Sequence, residues 1–161
     1  MATITGSVGI NVRLVQAAPT GYSGGDVATV SVDALISSGT GLNQGDLLYS
    51  GATSITGSGS VDIDLRALTS PTGAALTGLT EIACIIVEWP SSAAGALTIT
   101  PSGANGLVSL GASMILQPGG KLINFCPSAA AYAVGASTKS LNFANAGATA
   151  SATITLLGRS A

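Results

Sequence analysis

The sequence predicts an all-β protein, a single-domain β-sandwich of about eight to ten short antiparallel strands over residues 1–161. Two observations carry this prediction. Apolar residues recur at every second position through much of the chain, which is the period of a half-buried strand. Gly- and Pro-rich turn signals interrupt the second half about every 8–12 residues. The length of 161 residues suits one domain with a core and leaves little room for another.

The N-terminal part of the chain predicts two strands. The first covers residues 2–16, because its apolar residues fall on even positions: Ile4, Val8, Ile10, Val12 and Leu14. The stretch AAPTGYSGGD then breaks the pattern. Alternation returns over residues 30–36, where a second strand fits, and a short helix over Val27–Leu35 is the alternative. We interpret residues 1–18 as a docking arm.

The middle of the chain contrasts a Gly/Ser-rich segment with two clear strands. Residues 37–60 read as a long irregular connection, which we interpret as a second docking part beside the N-terminal strand. In VDIDLRAL, the apolar residues Val61, Ile63 and Leu65 alternate with charged ones, which predicts an amphipathic strand. The segment EIACIIVEW is apolar between its two glutamates and predicts a central strand covered on both faces. Shorter strands follow in ALTIT, GLVSL, SMILQ, KLINFC, AYAV, KSLNFA and ATITLLG.

Charge and hydropathy exclude several classes of function. Only 7% of the residues are charged and the net charge is −2, whereas nucleic-acid binding needs a basic patch. A chain with so little charge tends to associate, which favours an oligomer. The longest apolar run, IACIIV, is far shorter than the ~20 residues of a membrane-spanning helix. The N-terminus has neither the basic nor the apolar region of a secretion signal.

Candidate catalytic residues are few, because the chain has no histidine. This removes the commonest general base and every Ser-His-Asp or Cys-His arrangement. Asp62 and Asp64 share a strand face at roughly 7 Å and could bind Ca²⁺ or act as acid and base. The alternative is a solvated strand face paired with Arg66. We expect no catalytic residue, no metal and no cofactor.

Polar and aromatic residues offer candidate interface positions. Asn43, Gln44 and Asp46 could contact a ligand or a neighbouring subunit, or cap their own loop. Trp89, at a strand end, suits an interface anchor or a lid over the core.

The stretch LQPGGKLINFCP resembles a phosphate loop only superficially. The P-loop spacing is absent, and a strand rather than a helix follows Lys121. Pro118, Gly119 and Gly120 instead predict a type II turn in a hairpin. The nearby Cys126 has no histidine or helix N-terminus in prospect that would activate it as a nucleophile. It and Cys84 fit no metal or redox spacing and are interpreted as reduced thiols, with a disulfide as the alternative.

Residues 39–161 resemble a family of small virion proteins from tailed phages. The resemblance lies in the segment GTGLNQGDLLYS, the motif D-L-x-x-L-T followed by P-x-G-x-x-L, the PGG turn, the motif L-x-x-x-N-x-G and the terminal I-x-L-L-G-x-S-A. The chain departs from the family pattern at IACIIVEWPSSAAG, where many relatives carry a longer Asn/Thr-rich hairpin.

The resemblance implies a jelly-roll-like sandwich that decorates or cements a capsid. It implies binding to the major capsid protein and a homotrimer or other cyclic homo-oligomer. The protein would be made in the bacterial cytoplasm and lie on the capsid exterior. No catalytic or metal-binding residue is carried over. The alternative function is a fibre, spike or tail module that binds a host-surface glycan or receptor.

Overall fold

The computed structural model describes residues 6–16, 26–70, 73, 75–126, 128 and 131–160, with side chains from Ile36 onward. The fold is built almost entirely from β-strands. Two short 3₁₀ helices, Gly103–Asn105 and Val108–Leu110, interrupt them. The strands are β1 (Gly6–Gln16), β2 (Asp26–Ser38), β3 (Gln44–Gly45), β4 (Leu47–Ile55), β5 (Ser60–Asp64), β6 (Leu79–Glu88), β7 (Leu97–Pro101), β8 (Met114–Leu116), β9 (Lys121–Phe125), β10 (Tyr132–Ala133), β11 (Ser140–Asn145) and β12 (Ala150–Ser160).

Strands β4 to β12 form two antiparallel sheets, which together we call the body. The major sheet has the order β10-β6-β12-β4, with β9 also paired to β6. The minor sheet has the order β5-β11-β7-β8. Most successive strands fall in opposite sheets, so the chain repeatedly crosses the core. The structure confirms the predicted all-β, sandwich-like fold, and the jelly-roll topology stays a prediction.

The core lies between the two sheets and follows from strand alternation. In β11 every second residue is buried, so Leu141 and Phe143 face inward while their neighbours are half-exposed. Ile154 and Leu156 of β12 do the same from the major sheet. Fully burying a side chain of this size contributes roughly 1.5–3 kcal/mol. The body therefore closes its apolar surface between its own two layers.

Strands β1 and β2 form a separate antiparallel ribbon, which we call the ribbon. Their register runs without a break from Gly6↔Ile36 to Gln16↔Asp26. The short β3 pairs in parallel with the last residues of β2 and joins the ribbon to the body. At this junction Ile36 is 8% exposed and clusters with Cys84 and Leu157 of the major sheet.

The structure confirms the strands with the clearest patterns. The first strand, described from Gly6, and the amphipathic β5 are both present. Strand β6 lies at the centre of the major sheet, between β12 on one side and β9 and β10 on the other. The segment proposed as strand or helix around Val27–Leu35 is strand. The predicted break at residues 17–25 lies outside the described residues.

Two predicted elements are wrong. Residues 37–60 are not an irregular connection, because they contain β3 and the nine-residue β4, which pairs along β12. The segment GLVSL is not a strand. It holds the 3₁₀ helix Val108–Leu110, which buries Leu110 and leaves Val108 exposed.

The turn at Pro118 joins strands of different sheets. Strand β8 pairs with β7 in the minor sheet, whereas β9 pairs with β6 in the major sheet. The hairpin prediction is therefore wrong, although the turn itself is present. The turn carries the chain from one layer of the sandwich to the other.

Candidate docking surfaces

The two aspartates proposed for metal binding or acid–base chemistry are each held by a separate partner. Asn142 Nδ2 donates to Asp62 at 2.7 Å, and this hydrogen bond, with a smaller one from Ser102, lowers the pKa of Asp62. Lys139 Nζ lies 2.5 Å from Asp64, and the backbone N–H of Arg66 donates to the same carboxylate at 2.9 Å. Each carboxylate is thus engaged in its own cross-strand contact.

Opposing effects set the pKa of Asp64. Burial raises it, but the hydrogen bond and charge of Lys139 together with backbone donors outweigh burial, so the pKa is lowered. Both aspartates are therefore ionised and paired near neutral pH. Among the described residues, no three carboxylate or thiol side chains come together as a metal site.

A cleft of about 320 Å³ lies beside this pair. Arg66 lines it, and the Nε and Nη2 of this side chain donate to the Thr77 carbonyl at 3.2 and 2.6 Å. Asp64 and Lys139 complete its polar lining. The cleft contains an ion pair and an arginine–carbonyl contact, and neither group is positioned as a nucleophile with a base.

The polar loop at residues 43–46 is held within the chain. Gln44 Oε1 accepts a hydrogen bond from Gly41 N–H at 2.8 Å. Asp46 accepts one from the Ser160 N–H at 2.8 Å and another from its hydroxyl. Asn43 adopts a left-handed backbone conformation with φ 53°. Gln44 and Asp46 therefore cap their own loop, which was the alternative interpretation. An interface role for Asn43, Gln44 and Asp46 stays a prediction.

Arg159 is a buried, ion-paired residue that sequence analysis did not single out. Its side chain is only 1% exposed and lies 3.1 Å from Glu81. It donates to the carbonyls of Gln44 at 2.9 Å and Ser128 at 2.6 Å. A lone charge in the apolar segment ITLLGRSA is the signal that could have indicated a buried pair. The arginine ties three segments to the last strand and has no exposed surface for a ligand.

Trp89 is a lid over the core in the single chain. It is 2% exposed, and its indole N–H donates to the Gly95 carbonyl at 2.7 Å. Phe143 and Tyr49 are also buried, so these aromatic rings offer no stacking face to a sugar. The proposed interface role of Trp89 stays a prediction, and any partner would have to contact the rim around it.

A shallow cleft of about 330 Å³ lies at that rim. Glu88 and Lys121 form a 2.5 Å ion pair there, with side chains that are 43% and 58% exposed. An exposed pair of this kind contributes about 0–1 kcal/mol to stability.

The two cysteines are free thiols, as the sequence interpretation expected. Cys84 is buried in the major sheet, and burial raises its pKa to about 11. A thiol with this pKa stays protonated near neutral pH and is therefore a poor nucleophile. Cys126, half-buried, follows β9 and donates its backbone N–H to Ala83.

The turn in LQPGGK is the predicted type II turn. Gly119 has φ +82°, and the Gly120 N–H donates to the Gln117 carbonyl at 2.7 Å. Position i+2 of a type II turn requires this positive φ, which glycine adopts without steric penalty. Lys121 then starts β9 and is paired with Glu88, so no phosphate cradle forms.

All charged side chains that the structure describes have a partner inside the chain. Three cations are ion-paired and Arg66 binds a carbonyl. The remaining acids, Asp46 and Asp62, accept hydrogen bonds from a serine and an asparagine. The described charged groups are thus used in contacts within the chain. We therefore look to apolar surface for binding to a partner.

Two apolar surfaces stand out. The first is the outer face of the major sheet, which points away from the core. Leu48 and Ile123 are 41% and 40% exposed there, and Ile86 and Phe125 are half-buried beside them. The second is one face of the ribbon, which the register of β1 and β2 defines.

No protein-family model, curated protein or solved structure matches this chain. In the part of the chain that the structure describes, no helix is long and apolar enough to cross a membrane.

Proposed function

We propose that this chain is a structural protein of a virion, a capsid decoration protein that binds the outside of a phage head and stabilises it. The resemblance of residues 39–161 to small tailed-phage virion proteins supports this proposal. The geometry of the body adds support, because its described charged groups hold the fold together. Such a protein acts mechanically, by burying surface against capsid subunits and against its own copies.

The observation that carries the proposal is the ribbon. Among the described strands, β1 is the outermost of its sheet, so one edge of its eleven residues has no strand beside it. An open edge without proline is a template for adding a strand from another protein. We propose that a segment of the major capsid protein pairs with this edge.

The size of the edge suits such an interaction. In an antiparallel strand every second residue directs its N–H and C=O to the same side. Eleven residues therefore offer roughly ten main-chain hydrogen bonds, the number found in a typical protein–protein interface. Main-chain pairing needs no particular side chains, which fits a chain so poor in charge.

The test is binding to heads of the phage that encodes the chain. Heads lacking the protein are mixed with the full chain or with a variant lacking residues 1–18, and bound copies are counted by quantitative mass spectrometry. We expect hundreds of copies of the full chain per head and nearly none of the truncated chain. The control is Val108→Ser, which changes an exposed residue of the body and should bind like the wild type.

The outcomes separate the parts of the proposal. Full occupancy by the truncated chain would refute the docking role of β1. Failure of the full chain to bind heads, or about a dozen copies per virion, would refute the decoration role. Binding of the chain to host cells or to a glycan panel, without binding to heads, would support the fibre or spike alternative.

A further inference from the structure

The ribbon has one apolar face, which follows from its register. Residues paired across an antiparallel ribbon share a face, and faces alternate along each strand. Four successive rows on one face are apolar on both strands: Val8↔Ala34, Ile10↔Val32, Val12↔Val30 and Leu14↔Ala28. The opposite face carries Asn11↔Ser31 and the charged residues Arg13 and Asp33 in its middle rows, with Leu35 and the row Val15↔Val27 nearer its two ends. The ribbon is therefore amphipathic over most of its length.

The described contact between this face and the body is made by Ile36. Ile36, the next residue of the same face, is covered by the cluster of Cys84 and Leu157. Among the described strands, the ribbon hydrogen-bonds only to the two-residue β3. A two-stranded ribbon alone is marginally stable in water and needs a second layer on its apolar face.

We propose that the apolar face of the ribbon packs against the same face of the ribbon of a second copy of this chain. The face has no charged residue in its four apolar rows, so no complementary charge is required of its partner. It is also self-complementary in size. The β1 residue is the larger one in three of the four rows, and the row Val12↔Val30 pairs equal residues. Alanine occupies the β2 column in both end rows.

A two-fold axis parallel to the strands places the β1 column of one copy over the β2 column of the other. Leu14 of each copy then lies opposite Ala28 of the other, and Val12 opposite Val30. Large residues facing small ones let two layers interdigitate at the density of a protein interior. This arrangement also brings both bodies to the same end of the paired ribbons.

The buried area suits a dimer of moderate affinity. Six Val, Ile or Leu residues per ribbon occupy the face. Burying each removes roughly 60–100 Å² from water, so two copies bury on the order of 1,000 Å². This value is near the ~1,200 Å² lower bound of stable interfaces. We therefore expect a dissociation constant in the micromolar range.

The first test is sedimentation velocity of the full chain between about 1 and 200 μM. The double variant Val12→Asp/Val30→Asp places carboxylates on the apolar face. Its matched control, Asn11→Asp/Ser31→Asp, adds the same charges one residue away on the polar face. We expect the dimer dissociation constants of the wild type and the control to agree within about threefold. The apolar-face variant should dimerise at least ~100-fold more weakly, because its dimer would bury unpaired carboxylates.

The second test remains informative if those aspartates disrupt the ribbon itself. Leu14→Ala leaves a gap opposite Ala28, and Ala28→Leu overfills the space opposite Leu14. We expect each change to weaken dimerisation by about tenfold or more. The swapped double variant Leu14→Ala/Ala28→Leu restores the pairing of large with small and should return to within about threefold of the wild type.

Dimerisation through the apolar face of the ribbon does not require binding to the capsid. A wild type that stays monomeric at 200 μM overturns it, as does an equal loss in the polar-face control. A trimer as the main species overturns the two-fold arrangement. If the wild type is monomeric and Val12→Asp/Val30→Asp instead loses binding to heads, the apolar face belongs to the shell protein. Head binding that fails while dimerisation persists refutes only the proposed function.

Discussion

The body and the ribbon are built from the same alternating sequence pattern, but they satisfy it differently. In β11 of the body, the inward residues Leu141 and Phe143 are 1% and 0% exposed because a second sheet covers them. The ribbon has the same alternation over four successive apolar rows, but as a single layer. Alternation thus identifies a strand with one apolar face, and it does not say whether the covering layer comes from the same chain.

The first prediction compares the two apolar surfaces directly. Phe143→Ala should lower the free energy of unfolding by about 3–5 kcal/mol, because it opens a cavity in a fully buried site. Val12→Ala should change the unfolding of the monomeric body by less than ~0.5 kcal/mol. Urea unfolding at 1 μM, followed by Trp89 fluorescence, measures both. Equal losses would show that the ribbon face is part of the core of the body.

The second prediction tests whether the junction near the ribbon belongs to the body. Arg159→Met should cost about 2–4 kcal/mol, because it leaves Glu81 and two carbonyls without their buried partner. The matched control is Arg66→Met, a half-buried arginine whose contact with the Thr77 carbonyl lies at the surface, and it should cost under ~1 kcal/mol. Thermal and urea unfolding should give the same loss in the full chain and in a chain lacking residues 1–34. If Arg159→Met no longer lowers the stability of the shorter chain, the contacts of Arg159 stabilise the ribbon and not the body.

The third prediction concerns the turn that links the two sheets of the body. Gly119→Ala should cost about 1–2 kcal/mol, because alanine is strained at φ +82°. A Cβ there would meet Ser91 at an ordinary 3.5 Å, so conformation rather than crowding sets the effect. Ser91→Ala serves as the control and should stay within ~0.5 kcal/mol. Equal urea midpoints for Gly119→Ala and the wild type would contradict the turn assignment.

The fourth and smallest effect is the pH dependence of Asp64. Its pKa is lowered in the folded state, so its contribution is fully present above the ordinary value of 3.8 and is lost as the pH falls through the lower folded-state pKa. Asp64→Asn should be less stable than the wild type near neutral pH, by under ~1 kcal/mol. The difference should shrink below pH 3.8. A gap in melting temperature that is independent of pH would rule out ionisation as its source.

Most of the body was predictable where local pattern and tertiary context agree. The apolar segment EIACIIVE could only be a covered strand, and it became the central β6. Strand β4 was missed because Ser50, Gly51 and Ser54 have the composition of a loop. Its backbone pairing with β12 overrides that weak local preference.

Other features depended on contacts between distant parts of the chain. The buried position of Arg159 depends on Glu81, Gln44 and Ser128, which no local pattern brings together. In GLVSL, the burial of Leu107 and Leu110 three residues apart is typical of a helical turn, but five residues are too few to distinguish it from a strand. The type II turn was predictable because Pro-Gly specifies it locally, whereas the sheets that it joins were not.

Hydrogen exchange at two protein concentrations tests most directly whether the body covers its own apolar surface while the ribbon needs a second copy. Amides of the body and the ribbon are compared well below and well above the dimer dissociation constant. We predict that amides of β6, β11 and β12 are equally protected at both concentrations, whereas those of β1 and β2 gain protection only at the higher one. Ribbon amides that are equally protected at both concentrations would contradict the account.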